Sequence, residues 1–171
     1  MSATGNLVLR GSCWTVGDYI PTDQIVKSAL VLAPLGEIAK HVLEDANPRF
    51  ATELMRGDVL VAGEHFGQSS GRAIAVKALQ ATGVGCVVAE SFSRTFYRNA
   101  FEIGLPILEL RGVKAVVTEG DRLAVDLEAG TLVNETTGAT LRGQPTSRFL
   151  LDMLRGGGLI AIAPGLIAGA L

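Results

Sequence analysis

The sequence predicts an α/β domain built on a mixed, partly parallel sheet, and three observations carry this prediction. Residues 58–89 run as a short apolar strand, a glycine-rich loop, an Ala-rich helix and a second apolar strand, a crossover that places its two strands parallel in one sheet. Residues 91–110 add a further helix and a third strand. Residues 123–134 then change to the alternating pattern of a β-hairpin, which is antiparallel.

The remaining segments predict shorter elements around this core. Helical spacing of apolar residues, or a proline placed for a first turn, predicts helices over residues 36–45, 48–55 and 145–155. Two apolar stretches before Gly17 predict an N-terminal hairpin or strand pair over residues 6–16. Serine and glycine mark helix ends, with Ser91 predicted as an N-cap and Gly83 and Gly104 as C-terminal stops.

Composition limits the class of protein. A chain of 171 residues with 48% apolar and 19% charged residues is long enough for one globular domain, predicted over residues 1–171, and too short for two. The net charge of −2 comes without a basic cluster, so the electrostatic footprint of a nucleic-acid-binding protein is missing. The sequence therefore predicts no nucleic-acid partner.

The cysteines and histidines predict no metal site in this chain. Cys13 and Cys86 lie far apart without a CxxC motif, and His41 and His65 do not complete a ligand spacing with them. Cys86 stands in an apolar run and is predicted to be a small core residue. Reduced thiols and the lack of a basic start followed by an apolar segment favour a cytoplasmic location.

The C-terminal residues 159–171 are apolar but interrupted by Pro164, Gly165 and Gly169. The run falls short of the about 20 apolar residues that a membrane-spanning helix needs, so no membrane partner is predicted. Exposure of such a segment would be a liability. It is expected to pack on the domain or on a partner, and an isolated chain could cover it by homo-oligomerisation.

The glycine loop over residues 63–74 predicts an anion site. Glycines let a ligand approach the backbone, and the N-terminus of the following helix, predicted near Ser70 or Gly71, favours negative charge. Arg72 adds a fork of donors suited to carboxylate or phosphate, and Ser69 adds a hydroxyl. Neither the P-loop nor the dinucleotide fingerprint is present. The alternative is that the glycines serve packing, the serines cap the helix and Arg72 forms a surface ion pair.

Three motifs in order resemble the small subunit, or swivel domain, of the isopropylmalate isomerase and homoaconitase group of the aconitase superfamily. The first is Gly17-Asp-Tyr-Ile-Pro-Thr-Asp-Gln-Ile25, and the second is Gly63-Glu-His-Phe-Gly67 followed by Gln68-Ser-Ser-Gly-Arg-Ala-Ile-Ala75. The third is Ala89-Glu-Ser-Phe-Ser-Arg-Thr-Phe-Tyr-Arg-Asn-Ala100. The resemblance runs from about residue 11 to residue 160 and implies an aconitase-type swivelling β/β/α domain.

The resemblance also implies an activity. In this group the domain closes over a large subunit that holds a 4Fe-4S cluster, and the pair moves water across a double bond of a di- or tricarboxylic acid. Ser70 falls on the serine that takes a proton from carbon, and Arg72 on the arginine that grips a substrate carboxylate. Thr22 and Asp23 match the signature loop that supports the site, with a helix cap or turn as the alternative. Arg94 and Arg98 also match family positions, with structural ion pairs as the alternative.

The chain departs from the family pattern around this arginine. Gly71 replaces the second serine, and Ala73-Ile74 replaces a Glu-His pair. A shift of one residue would pair Ser69-Ser70 with the two family serines but would misplace Arg72, so the ungapped alignment is preferred. The missing Glu-His pair predicts either a different substrate or weak or absent activity.

The segment after the signature helps to select the substrate in this group. Here Ser28-Ala-Leu-Val-Leu-Ala33 is apolar after its serine, and an unpaired buried charge against such a wall is costly. Leu30 and Val31 are therefore predicted to line a pocket for an alkyl-substituted malate, although Lys27 beside them weakens this prediction. The resemblance thus predicts a 3-isopropylmalate dehydratase-like hydro-lyase of leucine biosynthesis.

Three alternatives stay open at the level of sequence. The chain could be a non-catalytic carboxylate-binding or regulatory subunit of the same fold, because the Glu-His pair is missing. It could serve a dehydratase for another acid, such as dimethylmalate, citramalate or homocitrate. It could also be a free-standing binder of anions or nucleotides that uses the loop of residues 67–72 alone.

Overall fold

The computed structural model describes residues 7–167 and contains one seven-stranded sheet. The strand order is β4-β3-β2-β1-β5-β6-β7. Neighbouring strands among β1 to β4 pair in parallel, and the pairs β1–β5, β5–β6 and β6–β7 are antiparallel. The predicted mixed sheet is therefore confirmed. The strands are β1 Val8–Thr15, β2 Val59–Ala62, β3 Cys86–Ala89, β4 Ile107–Glu109, β5 Arg122–Asp126, β6 Thr131–Asn134 and β7 Thr140–Arg142.

Helices flank the sheet and lie mostly in the connections of its parallel half. The predicted crossover is confirmed, since β2 and β3 pair in parallel and a ten-residue helix connects them. β2 and β3 are buried along their whole length, as expected for central parallel strands. The helices are α1 Thr22–Ile25, α2 Leu35–Ala39, α3 Phe50–Glu53, α4 Ala73–Thr82, α5 Arg94–Ile103, α6 Val113–Val116, α7 Arg148–Arg155 and α8 Leu159–Ile167, with a 3-10 turn at Ser28–Leu30.

Strand β1 joins the two halves of the sheet. Its first five residues pair antiparallel with β5, and its last three pair in parallel with β2. The predicted N-terminal hairpin is therefore wrong; Asn6, its first residue, lies outside the described residues. Gly11 lies within the strand at a point of close backbone packing. A Cβ at this position would lie 2.4 Å from the carbonyl oxygen of Gly57, so no side chain fits there.

Two predicted helix starts need correction. α4 begins at Ala73, after the predicted start near Ser70 or Gly71, and its N-cap is Arg72. α5 begins at Arg94, and its N-cap is Ser93, whose Oγ accepts a hydrogen bond from the Phe96 N–H. Ser91 does not cap this helix, because its Oγ accepts from the backbone N–H of His65 in the glycine loop. Gly83 and Gly104 end α4 and α5 in the left-handed conformation, as predicted.

The helices predicted before β2 are shorter than the patterns suggested. α2 ends at Ala39, and residues 41–46 form turns in place of the rest of the predicted helix. The reason is tertiary: buried Leu43 adopts a φ of +58° and donates its N–H to the Ile25 carbonyl. The predicted helix over residues 48–55 is the four-residue α3, and β7 was not predicted.

Most of the C-terminal apolar run forms helix α8. α8 packs against α5 and α7, so packing on the domain is confirmed for residues 159–167, while residues 168–171 lie outside the described part. No helix within residues 7–167 has both the length and the apolarity that crossing a bilayer requires.

Both cysteines are expected to resist alkylation by iodoacetamide at pH 8 in the folded protein and to react once it is unfolded. Burial raises the pKa of the Cys13 thiol and of the Cys86 thiol to about 12. The folded chain therefore holds these two protons where the unfolded chain would release them, and the stability that they contribute is lost as pH rises from about 9 towards 12. Mass spectrometry after labelling with and without denaturant measures this, and rapid labelling of the folded chain would contradict the buried positions.

Candidate functional site

The candidate site lies where the parallel strands end. The loop over residues 16–21 follows β1, the glycine loop follows β2, and residues 90–93 follow β3. Because these strands are parallel neighbours, their carboxyl ends meet at one edge of the sheet, the usual position of a ligand site in such sheets. Two motifs separated by about 45 residues in the sequence, the signature and the glycine loop, are thereby adjacent.

Backbone hydrogen bonds fix the signature to the glycine loop. The Gly67 N–H donates to the Ile20 carbonyl at 2.8 Å, and the Thr22 N–H donates to the Gln68 carbonyl at 3.0 Å. From the other side, the Ser93 hydroxyl donates to the Gly67 carbonyl at 2.7 Å. The loop is therefore held between the segment after β1 and the start of α5.

The backbone of this edge is locally strained. Tyr19, His65 and Ser69 adopt φ values of +57°, +51° and +80°, a region that non-glycine residues rarely occupy. Gly67, with φ +79°, has no room for a side chain, since a Cβ would lie 2.4 Å from the Phe96 ring. Such conformations cost on the order of 1–3 kcal/mol each and persist where the surroundings impose them. The loop is thus shaped before any ligand arrives.

The central contact of the site joins two hydroxyl groups. Ser70 Oγ lies 2.7 Å from Thr22 Oγ1, and either oxygen can be the donor. Thr22 is only 3% exposed, whereas Ser70 is half-buried. A threonine fixed in the core therefore orients a serine that remains accessible from the surface.

Arg72 stands next to this pair at the start of α4. It occupies the N-cap position, where no side chain accepts from the first turn of the helix, so the helix end favours an anion. Its guanidinium is exposed, forms no ion pair with any residue of 7–167, and donates a long hydrogen bond of 3.5 Å to Ser28 Oγ. The donors of Arg72 are therefore available to a ligand.

The other predicted site residues make fewer contacts within the described residues. Asp23 is exposed in the first turn of α1, and Ser69 is exposed in the loop; neither side chain has a hydrogen-bond partner within the described residues. The Gly71 carbonyl accepts from Asn99 Nδ2 at 3.2 Å, and a Cβ at Gly71 would lie 2.9 Å from the Thr95 side chain.

Leu30 and Val31, the predicted pocket residues, pack partly against the core. The most exposed apolar side chain of their segment is that of Leu32, which is 96% exposed. Leu32, Ser28 and Asn99 were not predicted as site residues. Leu32 and Ser28 belong to the predicted selectivity segment, and Asn99 belongs to the third motif, so that both signals were present in the sequence.

The described residues do not fit an iron–sulfur cluster. No group of three or more His, Cys, Asp or Glu side chains within residues 7–167 is close enough to hold a metal ion. Cys13 and Cys86 are buried in β1 and β3, and their raised thiol pKa opposes the thiolate form that a cluster needs.

Comparison with known proteins places the chain in a family. The model of the aconitase C-terminal domain matches residues 39–119. The 3-isopropylmalate dehydratase small subunit 1 of Thermotoga maritima is 44% identical over 155 residues, which cover 90% of this chain and 93% of that relative. The chain belongs to the family of 3-isopropylmalate dehydratase small subunits. The predicted family is thereby confirmed.

Two further family members agree with this assignment. The isopropylmalate/citramalate isomerase small subunit of Methanocaldococcus jannaschii is 41% identical over 154 residues, covering 90% of this chain and 92% of that relative. A crystal structure of a 3-isopropylmalate dehydratase from the same organism superimposes with a TM-score of 0.86 at 30% identity, covering 95% of this chain and 98% of the other. Most of the sheet and helices described above therefore belong to the family fold.

The residues after Ser70 that depart from the family pattern lie at the start of α4. Ala73 and Ile74 are half-buried at the start of α4, and Ile74 packs against the core. The Glu-His pair of the family pattern is thus replaced by side chains that offer Arg72 no hydrogen bond. In the described chain Ser28 is the side chain that contacts the Arg72 guanidinium.

Proposed function

We propose that this chain is the small subunit of a 3-isopropylmalate dehydratase-type hydro-lyase, which removes and re-adds water on an alkyl-substituted malate. The observation that carries the proposal is the contact of 2.7 Å between Ser70 Oγ and Thr22 Oγ1, beside the free guanidinium of Arg72. The names of the family members support the reaction class. We further propose that residues 1–171 form a single swivel domain and that the enzyme serves leucine biosynthesis in the cytoplasm.

Ser70 is the proposed base. As an alkoxide it would take the proton from the substrate carbon next to a carboxylate, and in the reverse direction its hydroxyl would return that proton. A serine hydroxyl is a weak acid, so its deprotonated form needs nearby donors. The Thr22 hydroxyl can donate to Ser70 Oγ, and the start of α4 adds the positive end of a helix dipole.

Arg72 is the proposed carboxylate ligand. Its guanidinium can bind both oxygens of a carboxylate, and among the described residues its one side-chain hydrogen bond is the long contact with Ser28. Ser69, Gly71 and Asp23 are proposed to contribute contacts of the surrounding loops to the substrate, because they are exposed on the same edge.

An alkyl group on the substrate is supported by the selectivity segment. Lys27, the residue that weakened this prediction, forms ion pairs with Glu44 at 2.6 Å and Asp45 at 3.1 Å, so its charge is compensated. Leu32 presents an apolar side chain that is 96% exposed, backed by half-buried Leu30 and Val31. An alkyl substituent would cover this surface, whereas a third carboxylate would be placed against apolar side chains beside a lysine that is already paired.

The proposed partner is a large subunit that holds the 4Fe-4S cluster. The cluster would supply the Lewis acid of the reaction, and its ligands are assigned to that subunit because the described part of this chain does not fit them. Asp23, Ser69 and Arg72 are exposed, as a site completed by a second subunit requires.

The test is anaerobic co-purification of the full chain with a candidate large subunit, followed by an ultraviolet assay for the conjugated double bond. The substrates are 2-isopropylmalate, dimethylmalate, citramalate and homocitrate. Turnover of alkylmalates alone would support both the reaction and the apolar pocket. A stable complex without turnover would favour the non-catalytic subunit, and the lack of a complex would favour a free-standing anion binder.

Substitution of Arg72 by lysine is expected to lower kcat/KM for the preferred acid by about 10²-fold, because an ammonium group cannot bind a carboxylate through two parallel hydrogen bonds. Steady-state kinetics of the reconstituted pair measure the effect. Arg122→Lys is the matched control, since Arg122 is exposed on β5 and has no ion pair within the described residues. If the two variants had the same kcat/KM, Arg72 would not be a substrate-binding residue.

A further inference from the structure

A second groove opens on the far side of α5 from the glycine loop. It has a volume of about 540 Å³, and none of its lining residues belongs to residues 63–72. α5, β4 and the segment that leads into α7 form its walls. Volumes of this order are typical of small-molecule sites, so the groove is large enough for an organic ligand.

The groove is rich in arginine. Arg94 and Arg98 line it, and an adjoining hollow that shares Glu109 and Gln144 adds Arg111 and Arg142. None of these four arginines forms an ion pair within residues 7–167. Among the described residues, the only acidic one that lines either hollow is Glu109, whose Oε2 accepts from the Phe92 N–H at 3.3 Å. This local excess of positive charge stands out in a chain with a net charge of −2.

Two helices also direct their positive ends towards the groove. Arg94 is the first residue of the ten-residue α5, and Ser147 is the N-cap of the eight-residue α7; both residues line the groove. Ser93 and Ser147 each accept one N–H of these first turns, and the remaining N–H groups and the aligned peptide dipoles favour anions. The side chains of Gln144 and Thr146 add hydrogen-bonding groups to the same wall.

The opposite wall is apolar. Ile107 and Leu108 of β4 are buried, and Leu150 and Tyr97 are half-buried beside them. An inorganic anion would leave this wall uncovered, whereas an apolar ligand would leave the arginines unsatisfied. The groove thus combines a cationic end with a hydrophobic floor.

We propose that this groove binds a small organic acid, with its carboxylate at Arg94 and Arg98 and its alkyl or aromatic body against β4 and α7. The site is separate from Ser70 and Arg72, so the proposal does not depend on the hydro-lyase assignment. Arg94 and Arg98 match family positions but form no ion pair within residues 7–167, and the proposal gives them a ligand.

Isothermal titration calorimetry of the full chain tests this proposal. The probes are isocaproate, which carries both groups, inorganic phosphate, which carries only the anion, and isohexanol, which carries only the alkyl body. Saturable binding of isocaproate is expected at millimolar concentration, at least about tenfold tighter than either partial probe. The double variant Arg94→Gln/Arg98→Gln is expected to weaken isocaproate binding by at least about tenfold, and Arg122→Gln is expected to leave it unchanged.

Both arginines are exposed and have no ion pair in the described part of the chain, so the double variant is expected to fold, which its circular dichroism and unfolding midpoint would verify. The proposal is overturned if isocaproate shows no saturable binding, if the double variant binds it equally well, or if Arg122→Gln loses as much affinity. It is also overturned if no probe binds and the double variant instead fails to co-purify with the large subunit. In that case the groove is a contact between subunits.

Discussion

Substitution of Ser70 by alanine is expected to lower kcat of the reconstituted enzyme pair by at least about 10³-fold, with a much smaller change in KM. The reason is that the variant keeps Arg72 and the loop backbone for substrate binding but loses the atom proposed to carry the proton. Stopped assays of double-bond formation over long times would measure the residual rate. Co-purification with the large subunit is expected to be unaffected.

Ser12→Ala is the matched control for this substitution. Ser12 lies in β1, and its hydroxyl makes no hydrogen bond within the described residues, so full activity is expected. If Ser70→Ala retained wild-type turnover while Ser69→Ala lost it, the alignment shifted by one residue would be right. The geometry favours Ser70, because Ser69 has no hydroxyl partner and Ser70 contacts Thr22.

Substitution of Asp58 by alanine is expected to have the largest effect on stability, a loss of about 3–5 kcal/mol in the free energy of unfolding. The Asp58 side chain is buried, at 5% exposure, and accepts three hydrogen bonds of 2.9 Å. The donors are the Ser12 N–H, the Trp14 indole N–H and the Met55 N–H. The variant leaves these donors without a partner beside the strand that joins the two halves of the sheet.

Urea denaturation followed by tryptophan fluorescence would measure this loss. Asp58→Asn should have an intermediate effect, because the amide keeps one acceptor oxygen. Asp152→Ala is the control: its carboxylate is 58% exposed and contacts only Arg155, so a change within about 0.5 kcal/mol is expected. A change of similar size in all three variants would show that the contacts of Asp58 contribute little.

Much of the fold was predictable because its signals are local. The apolar runs of β2 and β3, the helical spacing of α4 and the glycines at 83 and 104 act within a few residues of themselves. The hairpin of β5 and β6 follows from alternation and a turn in the same way. The predicted N-terminal hairpin is wrong because the two apolar stretches before Gly17 form one strand, in which Gly11 packs against Gly57, far away in the sequence.

The candidate chemistry of this protein is visible in the sequence, because each of the motifs around Thr22 and Ser70 is a run of consecutive residues whose resemblance to the family can be seen directly. Which of these groups contact one another depends on the tertiary structure. The contact of Thr22 with Ser70, the engagement of Lys27 by Glu44, and the absence of ion pairs at Arg94 and Arg98 within the described residues all depend on residues brought together by the sheet. Hydrogen bonds and ion pairs act over a few ångströms in space, and no spacing in the sequence specifies such distances.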